Sequence, residues 1–299
     1  MDGVSLVLDE RQTLGIVGES GSGKTTLALS ILRLLPPAAR IVGGEVRFAG
    51  EDLLAKSPGE MRRIRGKRIA MILQDPMASL NPLFTIGDQV SEPVRIHDGA
   101  RREAARARAE ALLRSVRIPA PEQRAREYPH QMSGGMRQRI VGAIALACGP
   151  RLLIADEPTT SLDLTIQAQY LRLLKDLQAR HALAMIFVTH NLGIVARMCD
   201  RVAVMYAGRI VEAGPVRQIF NAPAHPYTRA LLDSVPSLLS PRERLTAIEG
   251  QPPDLAALPP GCPYHPRCPK VMERCREEDP PEFTVSAGHA TRCWLWSSQ

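Results

Sequence analysis

The sequence has 299 residues, of which 44% are hydrophobic and 23% charged, a composition that fits one large or two modest globular domains with ample material for a core. Its longest apolar run, IVGAIALAC (140–148), is about half of the roughly 18 residues that a membrane span needs, and MDGVSLVLDE at the start lacks the basic-then-apolar order of a signal peptide. The net charge of +7 invites a nucleic-acid reading, but aromatic content is only 4% and no aromatics interleave the basic runs, which argues against a stacking surface for single strands.

In chain order, TLGIV (13–17) reads as a strand followed by a glycine-rich turn. KTTLALSILRLL (24–35) has apolar residues at helical spacing and stops at Pro36-Pro37. GEVRFAGEDL (44–53) reads as a strand ending at a glycine turn, and RIAMIL (68–73) as an apolar strand. RRIRGKR (62–68) and ARREAARARAEALLR (100–114) are the basic runs, and the second sets alanines and leucines at helical spacing with arginines around them, the pattern of a solvated helix face. Residues 86–150 read mostly as helix, LLIA (152–155) and AMIFVT (184–189) as strands, and RVAVMYAGRIVEAG (201–214) as a hairpin turning at Ala207-Gly208. Strands alternating with helices argue for a mainly parallel sheet covered on both faces. From Asn221 prolines become frequent, periodicity fades and cysteines appear, which marks a boundary between 1–220 and 221–299.

Phosphate chemistry is written into the first part. GESGSGKT (18–25) fits G-x-x-x-x-G-K-[ST] between a strand and a helix. Backbone N–H groups of Gly18, Glu19, Ser20, Gly21, Ser22 and Gly23 can line an anion nest at a helix N-terminus, with Lys24 reaching outer phosphates, Thr25 a ligand for Mg²⁺ and Thr26 next in the same turn. LLIADEP (152–158) delivers Asp156, suited to Mg²⁺, and Glu157, suited to a general base for an attacking water, at a strand's C-terminal edge. An acid pair after a strand also occurs as a helix cap. SGGMRQR (133–139) is a second phosphate-friendly element: Ser133, Gly134 and Gly135 lead into a helix. Gln74 and His190 each end a strand, the first able to sense metal or water and the second able to donate to a γ-phosphate.

In this order, the P-loop, Gln74, SGG, DEP, SLD (161–163) and His190 resemble the ATPase subunit of an ABC transporter from about residue 4 to 214. The resemblance implies an α/β P-loop ATPase fold: a mainly parallel sheet core, a small antiparallel β-subdomain and an α-helical subdomain at about 86–145. It implies ATP and Mg²⁺ as ligands, with two ATPase subunits packed head to tail, as a homo- or heterodimer. Ser133, Gly134 and Gly135 then serve the partner's nucleotide, Asp163 takes part in cross-talk between the sites, Gln74 contacts Mg²⁺ and water, and His190 stabilises transferred charge. Met136 stands where the family most often has Gln, although some peptide importers resemble this chain there. The family also stacks an aromatic on adenine from a strand upstream of the P-loop. Here seventeen residues precede Gly18 and the first aromatic is Phe48, so the expectation is a start inside the domain with the first β-subdomain strand missing.

NAPAHPYTRALLDSVP (221–236), QDPMASLNP (74–82) and TTSLDLTIQAQ (159–169) resemble the di- and oligopeptide permease ATPases, a subfamily that includes nickel importers. The function implied is ATP hydrolysis powering import of di- or oligopeptides, or a related solute such as nickel. Two membrane permease subunits would be direct partners and a solute-binding protein an indirect one, with the chain held peripherally at the cytoplasmic face of the membrane. A non-transport ABC ATPase acting on nucleic acid or the ribosome is the alternative, disfavoured because no DNA-binding insert or coiled coil interrupts the chain. A regulatory subunit without turnover is disfavoured by the intact Glu157 and His190.

Cys262, Cys268, Cys275 and Cys293 follow as C-x₅-C-x₆-C-x₁₇-C in an irregular C-terminal extension. A reducing cytosol disfavours stable disulfides, and four thiolates can hold Zn²⁺ or an iron–sulfur cluster. His265 is a competing ligand, and unliganded thiols are the third alternative. Peptide-importer relatives imply a 4Fe–4S cluster, read here as structural because the tail is poor in apolar residues.

Overall fold

A computed structural model describes residues 1–235 and 247–297. Residues 236–246 and 298–299 of the C-terminal extension lie outside the described residues, and with them Pro236 at the end of NAPAHPYTRALLDSVP. The chain divides into two compact units, one of Met1–Leu8, Gln12–Leu27 and Phe187–Gln299, the other of Asp9–Arg11 and Ala28–Ile186. The strands are β1 (Thr13–Val17), β2 (Arg47–Phe48), β3 (Glu51–Asp52), β4 (Ile69–Ile72), β5 (Leu152–Asp156), β6 (Ala184–Val188), β7 (Arg201–Tyr206), β8 (Arg209–Pro215), β9 (Phe283–Ser286) and β10 (His289–Thr291). Among the described residues no helix is long and apolar enough to cross a membrane.

In the first unit β1 runs parallel to β7, with Leu14 opposite Arg201 and Val17 opposite Val204. All five residues of β1 are buried, which is why the strand reads as an unbroken apolar run rather than an alternating one. Strands β7 and β8 form the expected hairpin, turning at Ala207 (φ 47°) and Gly208 (φ 79°), the two left-handed residues that a tight hairpin turn requires. Beyond β8 lies a feature not expected: β10 pairs antiparallel with β8, and β9 with β10. The extension is therefore not wholly irregular. FTVS and HAT are four and three residues long, too short to show a period of two. Nor does the tail lack a core, because Tyr264, Cys262, Cys275 and Trp294 are buried with Val17, Val204, Tyr206 and Tyr227 in one cluster.

In the second unit β4 runs parallel to β5, from Ile69 opposite Leu152 to Ile72 opposite Ala155. The single strand expected at 44–53 is instead a hairpin of β2 and β3, because Ala49 (φ 50°) and Gly50 (φ 83°) turn the chain back on itself. Helices Ile86–Asp98, Arg102–Ser115, Pro121–Arg124 and Gly134–Leu146 account for the helical stretch. The first buries Ile86, Val90 and Val94 at a spacing of four. The second buries Ala105, Ala109 and Leu113 and leaves its arginines outside, Arg108 donating to Asp98 at 3.0 Å, so this basic run is a solvated face. The other basic run is structural too. Arg65 donates to the carbonyls of Leu32 (2.8 Å) and Arg33 (3.0 Å), capping the chain just past helix Lys24–Ile31.

Candidate nucleotide site and cysteine pocket

In the first unit β1 ends at Val17 and helix Lys24–Ile31 begins at Lys24, so residues 18–23 form the connecting loop. A Cβ on Gly18 would strike the Met205 carbonyl oxygen and lie 2.8 Å from Ser22 Oγ, so only glycine lets the loop pass β7. Lys24 is 6% exposed, and its Nζ donates to the carbonyls of Gly18 and Glu19, both at 2.9 Å. The loop is thus wrapped around its own ammonium. Ser20 and Gly21 are exposed at the crest of the loop, and Thr25 and Thr26 are exposed at the helix start. Ser22 N–H donates to Glu19 O and Gly208 N–H to Ser22 O, which ties the loop to the β7–β8 turn. His190 is exposed, one residue past Thr189, whose N–H donates to Ile16 O at 3.1 Å. His190 therefore leaves its strand alongside β1, in the same unit as the loop.

The second unit carries the remaining residues predicted for the nucleotide site. Asp156 is buried at the end of β5. Glu157 follows with φ 45°, a left-handed conformation that costs a non-glycine residue about 1 kcal/mol or more and is typically retained where function requires it. Its Oε2 accepts from Thr160 Oγ1 at 2.9 Å and from Gln74 Nε2 at 3.3 Å. Two residues picked separately from the sequence, 83 positions apart, are thus in contact. The Thr160 hydroxyl was not foreseen; only its place three residues after Glu157 could have suggested it. Ser133 is exposed and N-caps helix Gly134–Leu146, its Oγ accepting from Met136 N–H at 3.4 Å, and Gly134 beside it is exposed as well. A Cβ on Gly135 would lie 2.7 Å from Ile166 Cγ2, so helix Gly134–Leu146 can approach helix Leu164–His181 only with glycine there. Asp163 caps that second helix, accepting from Thr165 and Ile166 N–H at 3.0 Å each.

The HPY motif has a physical explanation that sequence reasoning missed. His225 is 2% exposed and N-caps helix Pro226–Asp233, its Nδ1 accepting from Tyr227 N–H at 3.0 Å. Buried Glu212 on β8 accepts from the Ala224 and His225 N–H groups at 2.7 and 2.9 Å, and its Oε1 lies 2.7 Å from His289 Nε2 on β10. Burial holds the His225 ring well below its ordinary value, at about 4, against the smaller opposing pull of Glu212.

Cys262, Cys268, Cys275 and Cys293 line one cavity together with Tyr264, His265 and Lys270. Cys262 N–H donates to Cys275 O at 2.9 Å. Burial pushes the Cys262 thiol up to about 12 and the Cys293 thiol up to about 11, with the other cysteines adding to each shift, and burial raises Cys268 as well. These are protonated thiols unless a cation draws the protons off. The donor set fits a metal; the spacing is not that of one. Among the described residues no three His, Cys, Asp or Glu side chains are set to hold a metal ion, and the cavity of about 10 Å³ is the size of one water.

Comparison with known proteins agrees with this geometry. A family model described as ABC transporter matches residues 1–160, and one described as oligopeptide/dipeptide transporter, C-terminal region, matches 211–275. The chain is 54% identical over 296 residues to a probable peptide ABC transporter ATP-binding protein of Sinorhizobium fredii, covering 98% of this chain and 88% of that one. It is 52% identical over 295 residues to the oligopeptide transport ATP-binding protein OppD of Bacillus subtilis, covering 98% and 82%. Among solved structures, the dimeric ATP-binding cassette MJ0796 bound to ADP and Pi matches with a TM-score of 0.63 and 30% identity, over 72% of this chain and 89% of that one. A glycine-built loop between β1 and its helix, a buried aspartate before a strained glutamate and an HPY-anchored extension all fit that kinship: the chain belongs to the ATP-binding subunits of ABC transporters.

Proposed function

We propose that the chain hydrolyses ATP to power import of di- or oligopeptides. The observation that carries this is the 52–54% identity, spanning 98% of the chain, to ATP-binding proteins of peptide transport, with the oligopeptide/dipeptide C-terminal model on 211–275. In this reading the N–H groups of 18–26 and the Lys24 ammonium hold the phosphates of ATP. Thr25, Asp156 and Gln74 would hold Mg²⁺, which neutralises charge on the phosphates. Glu157 accepts a proton from water as its oxygen bonds to the γ-phosphorus and the β–γ bridging bond breaks, giving ADP and phosphate. His190 donates to the transferred group. Ser133, Gly134 and Gly135 meet the nucleotide of a second ATPase subunit, and Asp163 links the two sites. Closing that dimer on ATP and reopening it after hydrolysis drives two permease subunits, which hold the chain at the cytoplasmic face of the membrane and receive solute from a binding protein.

Reconstitution with candidate permease and binding-protein partners tests this. Uptake of labelled di- or oligopeptides that requires both ATP and Glu157 supports it. Nickel uptake without peptide uptake would replace the substrate, and stimulation of turnover by nucleic acid or ribosomes in place of permeases would replace the function.

The four cysteines that line one cavity favour a second reading, in which Cys262, Cys268, Cys275 and Cys293 bind a 4Fe–4S cluster. The cavity would have to widen, and the thiols would have to lose the protons that burial now favours. Near-equal iron and acid-labile sulfide after anaerobic purification, lost in Cys268→Ser, supports it. Zinc in its place, or folded metal-free protein, sinks it.

A further inference from the structure

The mechanism above does not use the buried guanidinium of Arg267. Arg267 lies in the extension, one residue before Cys268, with its side chain 4% exposed. Its guanidinium grips Glu19, the second residue of the phosphate loop: Nη1 donates to Glu19 Oε2 at 2.8 Å and Nη2 to Oε1 at 3.0 Å. This two-pronged ion pair is the strong, directional kind. Two further N–H groups are used, Nε to Glu249 O at 2.9 Å and Nη1 to Tyr206 OH at 3.3 Å. The Tyr206 and Tyr264 rings stand 5.8 and 6.0 Å from the guanidinium carbon. Glu19 is held elsewhere as well. Its N–H donates to Tyr227 OH at 2.9 Å, and its carbonyl accepts from Lys24. Tyr206, Tyr227 and Tyr264 pack ring to ring at 4.6 to 5.3 Å, so neither holder of Glu19 can shift alone. Arg267 gives up most of its hydration for a carboxylate that is itself 26% exposed, so the pair adds little net stability and its fixed geometry points to a positioning task.

We propose that Arg267 and Tyr227 are positioning residues for ATP: by clamping Glu19 they fix the phosphate loop in its binding shape, so the extension sets the chain's affinity for nucleotide. Neither residue touches the phosphates. Both act by keeping the N–H groups of the loop convergent, and losing them lets the nest relax between ligand encounters. The inference rests on the assignment of residues 18–25 to ATP.

The test compares Mg-ATP dissociation constants, KM and kcat for the full chain and its variants. Tyr227→Phe keeps the ring packing and removes only the hydroxyl, and Arg267→Ala removes the grip. Each is expected to raise Kd and KM for ATP about tenfold while kcat changes less than about twofold. Arg267→Glu should lose affinity that Glu19→Arg in the same chain restores, a rescue that a merely structural role would not give. Should Arg267→Ala fail to fold, Tyr227→Phe and the charge swap still decide the matter. Wild-type affinity in folded Tyr227→Phe together with no rescue by the swap overturns the clamp, as does a fall in kcat at unchanged KM. Wild-type chain that binds no ATP, or Lys24→Ala that binds as well as wild type, overturns instead the assignment of the loop.

Discussion

At the end of β1 the backbone turns through Gly18, Gly21 and Gly23; at the end of β5 it turns through Glu157, held at φ 45°. Both turns present a proposed functional group just past a buried strand, yet by different means. The first is shaped by the absence of side chains, and the backbone is the working part. The second holds a working side chain in a disfavoured backbone state, steadied by Thr160 and Gln74. A loop that works through its backbone fails when a side chain is added, whereas a strained residue that works through its side chain fails when that chain loses its charge.

The sharpest way to break this contrast is Gly18→Ala. Its Cβ would meet the Met205 carbonyl, and the loop must move. ATP affinity is expected to fall about 100-fold or more, with a lowered melting temperature, by calorimetry and thermal denaturation. Glu157→Gln should do the opposite: kcat falls about 100-fold or more while Kd for ATP changes only a few-fold. Equal losses in Kd and kcat for both variants would erase the distinction.

Acid sharpens the comparison, because the glycine loop after β1 leans on Tyr227, whose helix is capped by buried His225. The ring titrates near 4 in the folded chain, below its ordinary 6.5, so the unfolded chain takes up the proton first. The neutral ring's contribution is fully present above about pH 6.5 and is lost as pH falls toward 4, amounting to about 3 kcal/mol. Urea denaturation at several pH values measures it, and His225→Asn, which retains a capping acceptor, should flatten the slope. The smallest effect is expected for Thr160→Val, which removes the hydroxyl donor to the Glu157 carboxylate: kcat should fall about three- to tenfold at unchanged ATP affinity.

The turn from β1 into helix Lys24–Ile31 was legible because the glycines and the lysine of G-x-x-x-x-G-K-[ST] are local in sequence. The parallel strands were legible because double burial writes unbroken apolar runs such as TLGIV and LLIAD. The contact of Gln74 with Glu157 was not, since 83 residues separate them and nothing local records the pairing. HPY could be quoted as a pattern, but its purpose depends on Glu212, His289 and Glu19, each from another strand or loop. Of the Ala-Gly pairs that turn hairpins, only 207–208 lay between strands long enough to announce one. The pairs at 49–50 and 287–288 join strands of two to four residues.

The β9–β10 hairpin also has a consequence for how copies of the chain avoid one another. Without it β8 would offer its backbone around Glu212 and Ala213, where β10 now pairs, to any neighbouring strand. With it, the outermost strand beyond β8 in the first unit is β9, only four residues long and preceded by Pro280-Pro281, a poor template for strand addition. The extension therefore also guards the fold against sticking to itself, and a chain cut before Phe283 would trade a blunt margin for an adhesive one.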